Sequence, residues 1–434
     1  MKSDTTHPIF SEHATYGRYL DVEVALAKVQ GALGVIPKEA ADAIQASLTV
    51  EALDFDRLRT DFNAVGFPIV GLTRQMTEIV PDGFGQYTHW GTTTQDIMDT
   101  GLVLALREVL DTLDTLLAKS IEGFAELAEM HKATLISGRS QLQHAVPVTF
   151  GYKVAGWALA LERNRIKLQD LRDEVLLVQF GGAVGTLVAL HPKGPQIRAG
   201  LAEALGLIDP GQCWHTHRDG IAGFVSALGV LCGSFEKIAK DIAYMAQTEV
   251  GELTEPTMKG RGTSTAMPNK RNPVLSQQII VAARAVRGAV PMMLEVMAQD
   301  HERGTGIWQT EWDLVPDVCS QAVKAAENIR DLALDLQVDK ARMDANIALS
   351  GGFPFAEAVM MALAETLGRQ SAHDLVEQAV DTALQGTPFV MALMSLPEVS
   401  NAIDVNDIER IFAGDMHCIA GQKATEDMLA LLKS

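Results

Sequence analysis

Long amphipathic helical patterns constrain this sequence more than any other feature. Between Leu102 and Met130, apolar residues recur at intervals of three and four, and acidic residues and lysines fill the opposite face. At about 1.5 Å per residue, such a helix approaches roughly 40 Å in length. Comparable patterns cover Phe150–Val178, Ile221–Glu249, Leu275–Ala298 and Val318–Leu336. Because helices of similar length bury their apolar faces by packing side by side, the sequence predicts an all-α fold with a central bundle.

The regions that flank this bundle have shorter helical patterns and more turn residues. The breaker cluster Ser350–Pro354 separates the bundle from short patterns at Ala356–Leu367, Ser371–Leu384 and Val405–Phe412. We therefore expect three domains: an N-terminal helical domain (residues 1–102), the long-helix bundle (103–345) and a small C-terminal helical domain (346–434). The sequence shows no convincing run of alternating apolar and polar residues, which is the pattern of a β-strand. Helical bundles with this many apolar residues often oligomerise through further helix packing.

The overall charge limits the partners that this chain can bind. It carries 36 cationic and 55 acidic side chains, a net charge of −19. Such a chain repels nucleic acid and anionic lipid, so neither is expected as a partner.

The four cysteines show no CxxC spacing, and the N-terminus lacks the apolar core of a signal peptide. The longest uncharged stretch, Val175–Pro192, contains glycines, a glutamine and a histidine and is too polar to span a membrane. We expect a soluble cytoplasmic protein with reduced thiols.

Positive charge is concentrated in two windows that contain no acidic residue. The first lies between Glu255 and Glu295 and holds Lys259, Arg261, Lys270, Arg271, Arg284 and Arg287. The second lies between Glu129 and Glu162 and holds His131, Lys132, Arg139, His144 and Lys153. Both windows include Gly/Ser/Thr-rich segments, and guanidinium, hydroxyl and amide groups are the usual partners of a carboxylate. Two interpretations stay open: one anion-binding cleft lined by both windows, or solvated basic loops and subunit contacts.

Other candidate motifs are weak. The segment Gly182–Gly185 lacks the dinucleotide-binding pattern, and no phosphate-binding loop or nucleophile elbow occurs. His215 and His217 have no third ligand at metal spacing. We therefore expect neither a metal nor a cofactor.

A long motif carries a family resemblance. Residues 263–273 read TSTAMPNKRNP, which resembles the G-S-S-x-M-P-x-K-x-N-P signature of the fumarase/aspartase superfamily. The similarity covers nearly the whole chain and is closest to the bacterial 3-carboxy-cis,cis-muconate cycloisomerases, with supporting segments at residues 89–96, 142–151, 179–187, 214–219 and 301–308. The resemblance implies an all-α homotetramer with a 20-helix core. It also implies active sites that combine segments from three subunits.

The resemblance assigns roles to individual residues. Ser264 is expected to be the base that removes a proton from the carbon next to a carboxylate, and Lys270 and Asn272 to stabilise the resulting aci-carboxylate. Thr93, Thr94 and Gln95 are expected to grip a substrate carboxylate with His89 nearby, and Arg218 and Arg303 to clamp a further one. The remaining expected substrate contacts are Arg139, Gln141, His144, Thr263, Thr265 and Met267. For each residue the alternative is a structural hydrogen bond or salt bridge.

The chain departs from the superfamily pattern where the general acid would stand. Gln141 occupies the position of the lyase histidine, which is tryptophan in the cycloisomerases, and Gln277 replaces the glutamate partner of that histidine. Both members of an acid–base pair are absent together, which suits chemistry that needs no positioned acid. Thr263 replaces the loop glycine, and Asn269 replaces a usual histidine. Gln141 makes the pocket more polar than a tryptophan would.

Three functional hypotheses follow. The leading one is a cofactor-independent isomerase of small polycarboxylates, similar to 3-carboxy-cis,cis-muconate cycloisomerase, because a carboxylate leaving group needs no proton. The second is an epimerase or reversible lyase of an amino- or imino-dicarboxylate, for example an N-substituted aspartate such as iminodisuccinate. The third is a non-catalytic structural paralogue, favoured by the missing acid pair and opposed by the intact Ser264, Lys270 and Asn272.

Overall fold

The N-terminal region consists of helices of short and medium length. The computed structural model describes residues 7–256, 267 and 269–433. The first helices are α1 (Glu12–Ala32), α2 (Lys38–Ser47), α3 (Phe55–Val65) and α4 (Pro68–Ile79), with 3₁₀ turns at Pro8–Phe10, Val50–Ala52 and Phe84–Tyr87. Side-chain oxygens of Ser11 and Asp54 accept hydrogen bonds from backbone N–H groups in the first turns of α1 and α3. Gly66, at φ 81°, ends α3 in the left-handed conformation that favours glycine.

Long helices form the middle of the chain, as the apolar periodicity predicts. In chain order the helices here are α5 (Thr94–Met130), α6 (Phe150–Asp170), α7 (Arg172–Val175), α8 (Gly194–Leu205), α9 (Asp219–Met245), α10 (Val274–Val296) and α11 (Glu311–Asp335). Apolar positions of the predicted stripe on α5, such as Val109, Leu113 and Phe124, are fully buried. This burial supplies the stability that an isolated helix lacks. The all-α fold is therefore confirmed.

One of these helices has the composition of a membrane span. Within the described part of the chain, α9 alone is long and apolar enough by itself to cross a bilayer, and 61% of its most apolar window is buried. The core helix of a soluble protein has the same properties.

Short helices and a separate core make up the C-terminal region. The helices are α12 (Lys340–Leu349), α13 (Ala356–Leu367), α14 (Arg369–Leu384), α15 (Phe389–Met394), α16 (Pro397–Ala402), α17 (Val405–Ala413) and α18 (Asp415–Leu431). A 3₁₀ turn at Phe353–Phe355 precedes α13, and two others lie earlier in the chain, at Val188–Leu190 and Trp308–Thr310. Val359, Leu363, Leu393 and Val399 are buried together in this region. The predicted division at residues 102 and 345 stays a prediction.

Two small sheets add to the helical fold. Strands β1 (Leu135–Ser140) and β2 (Gln143–Thr149) form an antiparallel hairpin, and β3 (Leu253–Thr254) pairs with β4 (Gln337–Val338). The sequence showed no strand pattern because β1 contains Gly138 and β2 contains Pro147, two residues that weaken a strand prediction. The hairpin register also shifts between Ser137 and Gly138.

The chain divides into two compact units. Unit 1 comprises Met1–Thr115, Asn164–Gly233 and Val281–Ala326, and unit 2 comprises Leu116–Arg163, Ser234–Ile280 and Glu327–Ser434. The boundaries between the segments fall inside α5, α6, α9, α10 and α11. Each unit contains its own share of the predicted site residues.

Candidate active-site residues

In unit 1, Asp96 organises the threonine-rich segment that precedes α5. The carboxylate is buried and accepts hydrogen bonds from the Thr92 hydroxyl and the Thr93 backbone N–H, both at 3.1 Å. It also accepts the N–H groups of Gly181 and Gly182 at 2.9 Å. A carboxylate in the first turn of a helix is stabilised by the positive end of the helix dipole. Asp96 therefore holds two of the resemblance segments together.

A buried histidine completes this cluster. Nε2 of His215 lies 2.8 Å from Oδ1 of Asp96, and the ring is 2% exposed. Burial disfavours the charged ring, but hydrogen bonds and charge from Asp96, together with the Cys213 thiol, outweigh burial and raise the pKa of His215 to about 9. His215 is therefore protonated at neutral pH and neutralises a buried carboxylate.

His89 stands at the start of the same segment in a backbone conformation that is uncommon for a residue with a Cβ. Its φ is 54°. Its Nδ1 atom lies 2.6 Å from Oε1 of Glu23, and its backbone N–H donates to Oε2 of Glu23 at 3.1 Å. Burial lowers the pKa of the ring, but the charge and hydrogen bond of Glu23 and the charge of Asp96 outweigh it, so the pKa of His89 is raised.

Arg303 reaches the threonine-rich segment from a distant part of the chain. Its Nη1 atom donates to Oγ1 of Thr93 at 3.0 Å and to the carbonyl of Ala183 at 3.5 Å. Thr94 is the first residue of α5, and His89, Thr93, Thr94 and Arg303 are all partly exposed. Unit 1 thus brings together one guanidinium, two hydroxyls and one imidazole at the N-terminus of a 37-residue helix. These are the groups that bind a carboxylate.

The structure places Gln95 in the interior of unit 1. This side chain is 2% exposed, and its Nε2 atom donates to Oδ2 of Asp99 at 3.1 Å and to the carbonyl of His215 at 2.9 Å. Residues at successive positions of a helix point in different directions, so Gln95 faces the interior while Thr93 and Thr94 remain accessible. Gln95 is a structural hydrogen-bond donor in this chain.

Arg218 is also buried and forms ion pairs inside unit 1. Its guanidinium is buried and donates to both carboxylate oxygens of Asp99, at 2.8 and 3.1 Å. Nε donates to Glu311 at 2.8 Å, and Nη2 contacts the same carboxylate. The guanidinium also lies over the Trp214 ring, 4.8 Å from its centroid. Two carboxylates and one aromatic ring thus surround Arg218, and its expected role as a substrate clamp stays a prediction.

In unit 2, the β1–β2 hairpin carries the second group of predicted site residues. Gln141 and Leu142 form the turn, with φ angles of 53° and 63°, and both are exposed. Positive φ at both central residues is typical of two-residue hairpin turns, although glycine or asparagine usually fills them. The polar side chain that replaces the family histidine therefore stands at an exposed hairpin tip.

Arg139 is paired inside unit 2. Its Nη1 and Nη2 atoms donate to the two oxygens of Glu252 at 2.9 and 2.6 Å, and the Glu252 side chain is fully buried. Asn346 donates a further hydrogen bond to Glu252 at 2.9 Å. Lys132, from the same acid-free window, contacts Glu129 and Glu426. Acidic residues thus pair with two of the cations in this window, and Glu252 and Glu426 are the distant ones. The Arg139 pair ties the hairpin to a buried carboxylate.

His144 lines a cavity of about 350 Å³ in unit 2. Its Nδ1 atom lies 2.5 Å from the hydroxyl of Ser350, in the breaker cluster that precedes α13. The cavity is lined by Gln143, His144, Ala145, Val146, Ser350, Phe353, Pro354 and Glu357. The structure therefore places one predicted residue in a cavity of ligand size.

Part of the serine motif lies outside the described residues, and this part includes Thr263, Ser264 and Thr265. Met267 and Lys270 are exposed, and the Lys270 N–H donates to the Met267 carbonyl at 3.0 Å. Asn272 is partly exposed just before α10. The N-terminus of α10 is fixed by Glu255, which accepts the N–H groups of Leu275 and Ser276 at 2.9 and 2.8 Å.

Sequence reasoning missed the buried acids that organise these sites. Glu23, Asp99, Glu252 and Glu311 contact the predicted cations and the histidine, yet none was a candidate. A pattern of basic, acid-free windows carries no information about buried acids elsewhere in the chain. A single acidic residue on an otherwise apolar helix face could have indicated them. Such a face is buried, and a buried carboxylate needs a hydrogen-bond donor or a cation as its partner.

The comparisons with known proteins agree with the fold and with the motif. A family model described as "Lyase" matches residues 1–288, and one described as "Adenylosuccinate lyase C-terminus" matches residues 352–423. A 3-carboxy-cis,cis-muconate cycloisomerase of Pseudomonas aeruginosa is 40% identical, over 93% of this chain and 89% of that protein. A trans-aconitate decarboxylase of Mycosarcoma maydis is 38% identical, over 93% and 82%.

A solved structure extends the similarity to three dimensions. The 3-carboxy-cis,cis-muconate lactonizing enzyme of Pseudomonas putida matches with a TM-score of 0.93 and 37% identity, over 98% of this chain and 97% of that one. The chain belongs to the fumarase/aspartase superfamily. Within that superfamily its relatives include the 3-carboxy-cis,cis-muconate cycloisomerases, and it is an enzyme of the isomerase type.

Proposed function

We propose that this enzyme is a cofactor-independent isomerase of small polycarboxylates with 3-carboxy-cis,cis-muconate cycloisomerase activity. The observation that carries the proposal is the contact of Arg303 with Thr93, beside His89, at the N-terminus of α5. This arrangement suits a carboxylate, and the relatives at about 40% identity support the reaction. No metal or cofactor is part of the proposed chemistry.

The proposed reaction centres on a proton next to a carboxylate. Ser264 removes this proton from the lactone, and the electron pair moves into the carboxylate to form an aci-carboxylate. Lys270 and Asn272 stabilise the two negative charges of that intermediate, as charge develops there in the transition state. Its collapse forms the C=C bond and breaks the lactone C–O bond. The group that leaves is a stable carboxylate, so Gln141 need not supply a proton.

The complete site is proposed to form between copies of the chain in a homotetramer. Exposed apolar side chains support this assembly, including Val281, Met292 and Leu294 on α10. Large apolar residues of this kind, on a helix of the long set, are typical of an interface. We propose that three subunits contribute to each site, that the long helices form a 20-helix core, and that the enzyme is soluble and cytoplasmic.

A second candidate is favoured by Gln141. An epimerase returns the proton to the same carbon, so it also needs no acid for a leaving group. A polar hairpin tip suits a substrate with a heteroatom, such as an N-substituted aspartate. A relative at 38% identity is named as a decarboxylase of trans-aconitate, which supports the idea that this fold hosts several reactions on small polycarboxylates.

Incubation in D₂O separates the two candidates. We expect the enzyme to interconvert 3-carboxy-cis,cis-muconate and its lactone, with deuterium incorporated next to the carboxylate. Deuterium at Cα of iminodisuccinate or another N-substituted aspartate, with loss of optical purity, would instead support the epimerase. If no polycarboxylate reacts and none raises the melting temperature, the non-catalytic paralogue is favoured.

A further inference from the structure

Glu23 uses both of its carboxylate oxygens on His89. Oε1 lies 2.6 Å from Nδ1 of the imidazole, and Oε2 accepts the His89 backbone N–H at 3.1 Å. The side chain of Glu23 is 2% exposed, whereas that of His89 is 21% exposed. Glu23 is therefore the interior member of the pair, and His89 is the member that a ligand can reach.

The burial of Glu23 determines where the proton of His89 resides. A buried carboxylate is costly unless a donor or cation compensates it, and at 2.6 Å that donor is the Nδ1–H group. The hydrogen bond of one ring nitrogen fixes the tautomer of a histidine. With the proton held on Nδ1, the Nε2 atom accepts hydrogen bonds in the neutral ring and donates one only in the charged ring.

A second carboxylate acts on the ring in the same direction as Glu23. Asp96, in the first turn of α5, is a second carboxylate that favours the charged ring. Arg303, from the segment before α11, contacts Thr93, four positions beyond His89. The positive φ of His89 is a further sign of a fixed position, because a residue with a Cβ adopts it at an energetic cost.

We propose that Glu23 is a positioning residue that fixes the proton of His89 on Nδ1, so that Nε2 binds a substrate carboxylate only while the ring is protonated. The inference rests on the proposed polycarboxylate substrate. It makes His89 a binding residue whose affinity depends on pH, and it assigns Glu23 the task of keeping the ring charged at neutral pH. Neither residue transfers a proton in this scheme.

The test combines kinetics with a titration that needs no turnover. For Glu23→Gln we expect KM for 3-carboxy-cis,cis-muconate to rise roughly ten-fold or more at pH 7.5, with little change in kcat, because a charge-assisted hydrogen bond to substrate is lost. The difference should shrink as the pH is lowered to 5.5, since a higher proton concentration favours the charged ring even without Glu23. Glu23→Asp should restore part of the affinity. A change in kcat alone, or a loss that is equal at both pH values, would overturn the proposal.

Nuclear magnetic resonance of 15N-labelled histidine separates this inference from the proposed reaction. His89→Gln identifies the resonance, and we expect it to titrate above pH 6.5 in the parent protein and at lower pH in Glu23→Gln. Glu51→Gln, which removes a carboxylate 3.9 Å from the exposed ring of His13, serves as the matched control and should leave His89 unchanged. An unshifted His89 in Glu23→Gln would refute the inference. A shifted His89 without turnover of any polycarboxylate would refute only the proposed function.

Discussion

Nε2 of His215 lies 2.8 Å from Oδ1 of Asp96, and both side chains are almost completely buried. The pair connects the threonine-rich segment at the start of α5 with the loop before α9. Its hydrogen bond is charge-assisted because the ring is protonated at neutral pH. This relationship makes the stability of unit 1 depend on pH.

Stability should fall between about pH 6.5 and pH 9. The pKa of His215 is 6.5 in the unfolded chain and about 9 in the folded protein, so its contribution is fully present below pH 6.5 and is lost as pH rises through 9. A pKa rise from 6.5 to about 9 corresponds to roughly 3 kcal/mol of stability. Urea unfolding at pH 6, 7.5 and 9 measures the free energy of unfolding and its decrease with pH. In His215→Gln this decrease should be much smaller; an unchanged decrease would contradict the role assigned to His215.

Arg218→Ala should destabilise the protein strongly. The substitution leaves Asp99 and Glu311 buried without their cation, and removal of one partner of a buried ion pair costs about 3–5 kcal/mol. Denaturant unfolding measures the loss. Arg57→Ala, which breaks an exposed pair with Glu78, is the control and should have little effect. Equal stability of the two variants would show that the buried network is not structural.

Arg303→Ala should weaken substrate binding without unfolding the protein. Arg303 is partly exposed and contacts Thr93, so its removal costs a hydrogen bond to a charged ligand, about 10–100-fold in Kd. Calorimetric titration with 3-carboxy-cis,cis-muconate measures the change. Arg410→Ala, an exposed arginine of the C-terminal region, is the control. An unaltered Kd in Arg303→Ala would remove this residue from the site.

Gly138→Ala should disrupt the hairpin that carries Arg139 and Gln141. A Cβ at residue 138 would lie 2.3 Å from the carbonyl oxygen of Val146, and backbone atoms cannot move away as a flexible side chain could. Hydrogen exchange of β1 and β2 should accelerate. Gly17→Ala, in the interior of α1 with no heavy atom within 4 Å of the new Cβ, should be neutral or slightly stabilising. Unchanged protection in Gly138→Ala would contradict the observed close approach.

The long helices could be predicted because their stability depends on an apolar period that the sequence displays directly. Their ends were less predictable: α5 begins at Thr94 rather than Leu102, since Gln95 and Asp96 are polar residues buried by partners far along the chain. The hairpin at 135–149 could not be predicted, because Gly138 and Pro147 obscure any strand pattern.

The sequence could predict which residues belong to the candidate site, but not which partners those residues contact. The motif resemblance identified Thr93 and Arg303, and the structure brings them within 3.0 Å of each other. It also identified Arg218 and Arg139, whose partners Asp99 and Glu252 lie 119 and 113 residues away. Periodicity and charge counts carry no information about such pairs, so the sequence alone could not separate free cations from neutralised ones.

The central claim is that Ser264 removes the proton next to a substrate carboxylate. The most direct measurement compares the turnover of 3-carboxy-cis,cis-muconate by the parent enzyme, by Ser264→Ala and by Ser371→Ala, an exposed serine of α14. We predict that Ser264→Ala loses about 10²–10⁴-fold in kcat, as expected for a general base, while Ser371→Ala retains full activity. Full activity in Ser264→Ala, with a substrate that the parent enzyme turns over, would contradict the account.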